Sequence, residues 1–128
     1  MNDRGSIAIL IATYLSIITL SVIGFASVGI AMLAGHRIQG VTDYAVLYGH
    51  DRAHRAGKPS ADRLELEVRK FLSNAASAQR LEIVSLDSWV AGENSHLRIC
   101  ARYQDLFGLR VSSMVICREA AAKSFLVL

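Results

Sequence analysis

Residues Ser6 to Gly35 read SIAILIATYLSIITLSVIGFASVGIAMLAG, thirty residues without a charge, an Asn, a Gln or a Pro. An apolar run of eighteen or more residues reads as a membrane-spanning helix. Helix is the required form because amides in hydrocarbon must find their hydrogen bonds inside their own segment. At ~1.5 Å per residue the run reaches about 45 Å, against a hydrocarbon core of about 30 Å. It must therefore tilt, project beyond the bilayer or pack in part against protein. A buried helix of a soluble core rarely lacks a polar face over so many turns. A secretory signal has an apolar core of only about 7–15 residues.

Working outward, the preceding Met1–Gly5 is a short polar head carrying Arg4, the only basic residue before the span. The other side carries Arg37, Arg52, Arg55 and Lys58. By itself this bias places the C-terminal domain in the cytoplasm under the positive-inside rule. Inside the span, small residues recur at every fourth position. Ala8, Ala12 and Ser16 form one line that reaches Gly24, and Ser27, Ala31 and Gly35 form another. Such lines let helix backbones approach closely in lipid.

The helical pattern continues past Gly35. Ile38, Val41, Ala45 and Tyr48 recur at steps of three and four, while Arg37, Gln39, Asp43 and Asp51 fall on other faces. Gly57-Lys58-Pro59 ends the element. The expectation is one helix over 6–57, membrane-spanning over 6–35 and amphipathic over 36–57, with a downstream domain over 58–128 covering the amphipathic side. Ser60 is an N-cap for a second helix whose stripe is Leu64, Val68, Phe71, Leu72 and Ala75. Glu65 and Arg69 form an i,i+4 pair in the favoured order.

From Leu81 the period shortens to two. Leu81–Val90 reads as a strand with a bulge where the alternation slips at Ile83-Val84. Leu97, Ile99, Ala101 and Tyr103 alternate with His96, Arg98, Cys100 and Arg102 as a half-buried strand. Leu109–Cys117 is its expected hairpin partner across a two-residue turn at Gly108-Leu109. In that register the residue numbers of each pair sum to a constant. Cys100 faces Cys117, Arg98 faces Glu119, Ala101 faces Ile116 and Tyr103 faces Met114. A non-hydrogen-bonded pair lies about 4.5 Å apart at Cα, within disulfide range. Cys100 and Cys117 are thus a disulfide on an oxidising side of the membrane, or two buried thiols on a reducing one. The tail from Ala120 to Leu128 extends the last strand or packs as an apolar plug. The fold class is α+β: a long transmembrane helix, a second helix and a small antiparallel sheet of three or four strands.

Chemistry is sparse. The net charge of +3 comes from basic residues interleaved with acids, so no nucleic-acid patch stands out. His50 and His54 have the spacing of two zinc ligands on one helix face, but no third ligand accompanies them, and a solvated helix surface is the favoured reading. Ser112-Ser113 sit in no nucleophile-elbow pattern. Arg80, Arg98 and Arg102 are ordinary strand-surface charges. No catalytic residue, cofactor site, metal set or small-molecule site emerges, and the expectation is that the chain is not an enzyme.

The head Asp3-Arg4-Gly5-Ser6 leads straight into the apolar helix, which runs on into His36-Arg37-Ile38-Gln39 and a small-residue stretch around Asp43-Tyr44-Ala45. Over about residues 3–50 this resembles the TadE-like minor pilins and pseudopilins of tight-adherence (Tad, type IVc) pilus systems, above all the short actinobacterial TadE-like proteins. The resemblance implies a cytoplasmic N-terminus, cleavage between Gly5 and Ser6 by a prepilin peptidase, and a domain outside the membrane. It implies partners among other pilin-like subunits and pilus assembly membrane proteins. Such prepilins usually carry Glu at the fifth position after the cut. Here Leu10 stands there, followed by Ile11, which suits a minor subunit that starts or tips a filament, or one that is never cut. A function of a different class is a single-pass anchor whose small domain binds a ligand or senses one.

Overall fold

The computed structural model describes residues 3–55, 57, 58, 60–103 and 114–124. The element order is α1 (Asp3–Arg55), α2 (Ala61–Asn74), β1 (Leu81–Ala91), β2 (Asn94–Tyr103) and β3 (Ile116–Lys123). The chain divides into two compact units, Met1–Leu33 and Ala34–Leu128.

The first unit holds the apolar part of α1. It is long and apolar enough to cross a membrane, and none of that stretch is buried within the protein. Large apolar side chains stand exposed all round it, among them Leu10, Tyr14, Leu20, Ile23, Phe25 and Met32.

The second unit is an α+β domain. Its sheet has the order β1-β2-β3, antiparallel throughout. β1 meets β2 from Leu81↔Tyr103 to Ala91↔Asn94 around a tight turn at Gly92, whose φ of 63° lies in the left-handed region that glycine adopts without a Cβ clash. The ladder shifts between Ile83 and Ser85, which makes Val84 the extra residue of a bulge. β2 meets β3 from Asn94↔Lys123 to Ala101↔Ile116, including Arg98↔Glu119 and Cys100↔Cys117. This is the register expected from the sequence. The extent of the last strand differs. It is described from Ile116, so Tyr103 and Met114 are not ladder partners, and it runs on through Ala120 to Lys123; residues 109–113 of the expected strand lie outside the described residues. The expected turn at Gly108-Leu109 lies outside the described residues.

Alternation along β2 divides the sheet into two faces. Ser95, Leu97, Ile99 and Ala101 are buried on the inner face. His96, Arg98 and Arg102 point the other way, with the Cys100–Cys117 disulfide among them, its Cα atoms 4.0 Å apart. Both helices cover the inner face. The second part of α1 buries Ile38, Val41, Thr42, Ala45, Val46 and Ala53, a stripe at helical spacing. It lies by β2 and β3: Gln39 Nε2 donates to the Glu119 carbonyl at 3.4 Å. α2 lies by β1, where Ser88 Oγ donates to the Ala61 carbonyl. Its Ser60 cap accepts from the Arg63 amide, Leu64 and Val68 are buried, and Glu65 pairs with Arg69 at 2.7 Å.

The two helices meet at Gly49. A Cβ there would lie 2.8 Å from Val68 Cγ2 and 2.9 Å from Leu64 Cδ1. One turn along, Tyr48 and Phe71 hold their rings 5.4 Å apart. Glycine permits this approach; a larger residue would press on the Val68 and Leu64 side chains.

Candidate functional site

The most unusual surface is the apolar length of α1. Ala8, Ala12, Ser16 and Gly24 are exposed, and Ser27 and Ala31 are half-buried. A Cβ added at Gly24 would meet nothing within 4 Å, so a neighbouring backbone has room to approach it. Gly35 is different. It belongs to the second unit, is buried, and lies against the Arg118 guanidinium, whose Nη2 would be 2.9 Å from an added Cβ. Its small size is thus used by its own chain. Gly5 and Ser6 lie inside α1, which starts at Asp3.

Five hydroxyls of this stretch are satisfied by the helix itself. Thr13, Ser16, Thr19, Ser21 and Ser27 each donate a hydroxyl to the carbonyl four residues earlier, all at 2.8 Å. A hydroxyl bonded this way needs no water, which matches a hydrocarbon environment. The small-residue lines also wind. Each fourth residue is displaced by about 40° round a helix of 3.6 residues per turn, so Ala8 and Gly24 differ by roughly 160°. No single straight neighbour can touch both. The small residues thus face several directions round the helix.

In the second unit, His50 overturns the solvated reading of the histidine pair. It is 5% exposed. Its Nδ1 lies 2.7 Å from Ser95 Oγ on β2, and its Nε2 lies 2.9 Å from Ser124 Oγ just past β3. A neutral imidazole has one donor and one acceptor nitrogen, and a hydroxyl can serve either, so both nitrogens are satisfied without charge. Burial holds the His50 pKa below the ordinary 6.5, the neighbouring His54 lowers it further, and Asp51 opposes both. His54 stands edge-on to it, ring centroids 4.2 Å apart. His50 therefore pins α1 to β2 and to the residue that follows β3. The buried stripe continues from Thr42 and Val46 to His50 at steps of four; that periodicity was the available signal, and the polarity of histidine masked it. Both ring nitrogens are engaged by hydroxyls, and among the described residues no group of three or more His, Cys, Asp or Glu is gathered that could hold a metal.

The outer sheet face carries paired charge. Arg102 lies 3.7 Å from Glu82, and Arg98 stands between Asp87 and Glu119 in the ladder. Trp89 stacks on His96 at 5.2 Å with the rings nearly parallel. Arg80 lies just before β1 and is exposed.

Compared with known protein families, with characterised proteins and with solved structures, the chain matches none.

Proposed function

We propose that this chain is a structural subunit that assembles through its N-terminal helix, as a TadE-like minor pilin or pseudopilin does, with its α+β domain outside the cytoplasm. One observation carries the proposal. From Ile7 to Leu33 the helix exposes apolar side chains on every side, satisfies its serine and threonine hydroxyls, and winds its small residues round about half its circumference. A helix that only tethers a domain needs the apolar surface but not close-approach grooves facing several directions. The Cys100–Cys117 disulfide supports the extracytoplasmic placement, because such bonds persist in oxidising compartments. It weighs against the basic residues that follow the span.

The test replaces Ala12 and Ala31 with Leu in the full-length chain. In-membrane cross-linking should lose its higher-order products while the amount of membrane-inserted protein is unchanged. Unaltered cross-linking would reject assembly through these lines and favour the anchored binding or sensing module. The mass of the mature chain separates a subunit cut before Ser6 from one that keeps Met1. A thiol introduced beside Asn94 that an impermeant reagent labels only after lysis would reject the orientation.

A further inference from the structure

Strand directions gather one set of side chains at one end of the second unit. Ala34 begins this unit, and Gly35 lies against Arg118. Arg118 pairs with Ile99 near the start of β3, where Ile116 faces Ala101, and Ala101 faces Ile83 near the start of β1. The end at which α1 enters is therefore also the end of the sheet bearing the beginnings of β1 and β3 and the finish of β2. Leu33, the last residue of the first unit, is joined to Ala34 by one peptide bond.

The residues gathered there are of two kinds. The described charged side chains over 34–37, 75–84, 101–102 and 114–118 include Arg37, Arg80, Arg102 and Arg118 and a single carboxylate, Glu82, which is already near Arg102. The same end carries large apolar side chains that are exposed: Ile83 at 36%, Val84 at 50%, Met114 at 65% and Val115 at 37%. Val84 is the bulge residue on an edge strand. The opposite end mixes Arg52, Arg55, Lys58, Arg63 and Lys123 with Asp51, Asp62 and Glu93, and Arg55 is bound to Asp51 at 3.0 Å.

We propose that this end of the domain docks on an anionic lipid surface, with Val84, Met114 and Val115 seated among headgroups and Arg80, Arg102 and Arg118 binding lipid phosphates. Apolar side chains ringed by arginine are the composition of an interfacial membrane contact. Arginine presents a planar fork of donors that matches a phosphate, and its stem can lie along apolar surface while the guanidinium reaches the headgroups. The inference rests on the apolar helix spanning the bilayer and not on the pilin role.

The test uses the full chain in bilayers of phosphatidylcholine with and without phosphatidylglycerol. A spin label is placed at Val84 (Val84→Cys) and, as a reference, at Glu93 (Glu93→Cys), and collisions with oxygen and with a water-soluble nickel chelate are measured. With phosphatidylglycerol the Val84 label should gain oxygen collisions and lose nickel collisions relative to Glu93. The triple variant R80Q/R102Q/R118Q, with Trp89 fluorescence as a check on folding, should lose that shielding. A Val84 label as open to nickel as Glu93 would overturn the inference. So would shielding that is equal without anionic lipid or in the triple variant. A chain that fails to float with the bilayer would overturn the span, and the docking with it; a floating chain with a water-exposed Val84 overturns the docking alone.

Discussion

Two glycines of one helix should respond differently to the same substitution. In Gly49→Ala the new methyl would meet Val68 Cγ2 at 2.8 Å, Leu64 Cδ1 at 2.9 Å and the Leu64 carbonyl at 3.4 Å. Val68 and Leu64 are fully buried and have little room to yield. Forcing extra volume into such a core costs about 1–3 kcal/mol. In Gly40→Ala the methyl meets nothing within 4 Å. Both substitutions gain about 1 kcal/mol from helix propensity. That term cancels in the comparison, so the variants should differ by the overpacking cost, about 1–3 kcal/mol, with Gly40→Ala the more stable. At roughly 4–8 °C per kcal/mol for a domain of this size, the melting midpoints should separate by at least ~4 °C. The assay is thermal unfolding of the full chain in mild detergent, read from Trp89, the only tryptophan, which lies on β1 and so reports the second unit. If Gly49→Ala melts level with Gly40→Ala or above it, the close approach of α1 and α2 is wrong.

Reducing the disulfide, or replacing Cys117 with Ser, should lower the stability of the domain by about 3 kcal/mol, since the bridge closes a loop of sequence separation 17; melts with and without reductant check this, and equal midpoints would mean that the pair is unbridged. His50 should make the domain acid-sensitive. Its pKa is lower folded than unfolded, so its stabilising effect is complete above the unfolded pKa of about 6.5 and declines as pH falls below that value, where the unfolded chain takes up a proton before the folded one does. Urea midpoints between neutral and mildly acidic pH should fall more steeply for the native chain than for His50→Phe, and matching slopes would remove His50 as the cause.

Much of the architecture could be read along the chain. Thirty uncharged residues leave an aqueous core no way to accommodate them, and Ser60 marks a helix start by its capping chemistry. The β2–β3 register was legible because antiparallel pairs sum to a constant, so a single choice placed Cys100 on Cys117 and Arg98 on Glu119 together. The bulge at Val84 showed as a break in a two-residue rhythm. These features depend on neighbours in sequence or on a period, and each can be inferred from local order. How far the ladder runs was harder to read. The tail left extension of the strand or an apolar plug open; the ladder runs on to Lys123, because Ala120 and Ala122 are small residues that become core only when α1 is laid over them.

The sequence by itself determined the apolar helix, the helix-then-sheet order and the pairing of the cysteines, because hydropathy, capping and strand period are written in adjacent residues. Only the tertiary structure decided that Gly49 is a contact point and Gly40 is not, that Gly35 accommodates Arg118, and that His50 is a buried clasp. The partners of His50 lie 45 and 74 residues away. Whether a polar ring is solvated or satisfied in a core depends on what the fold brings to it, and no local pattern carries that information.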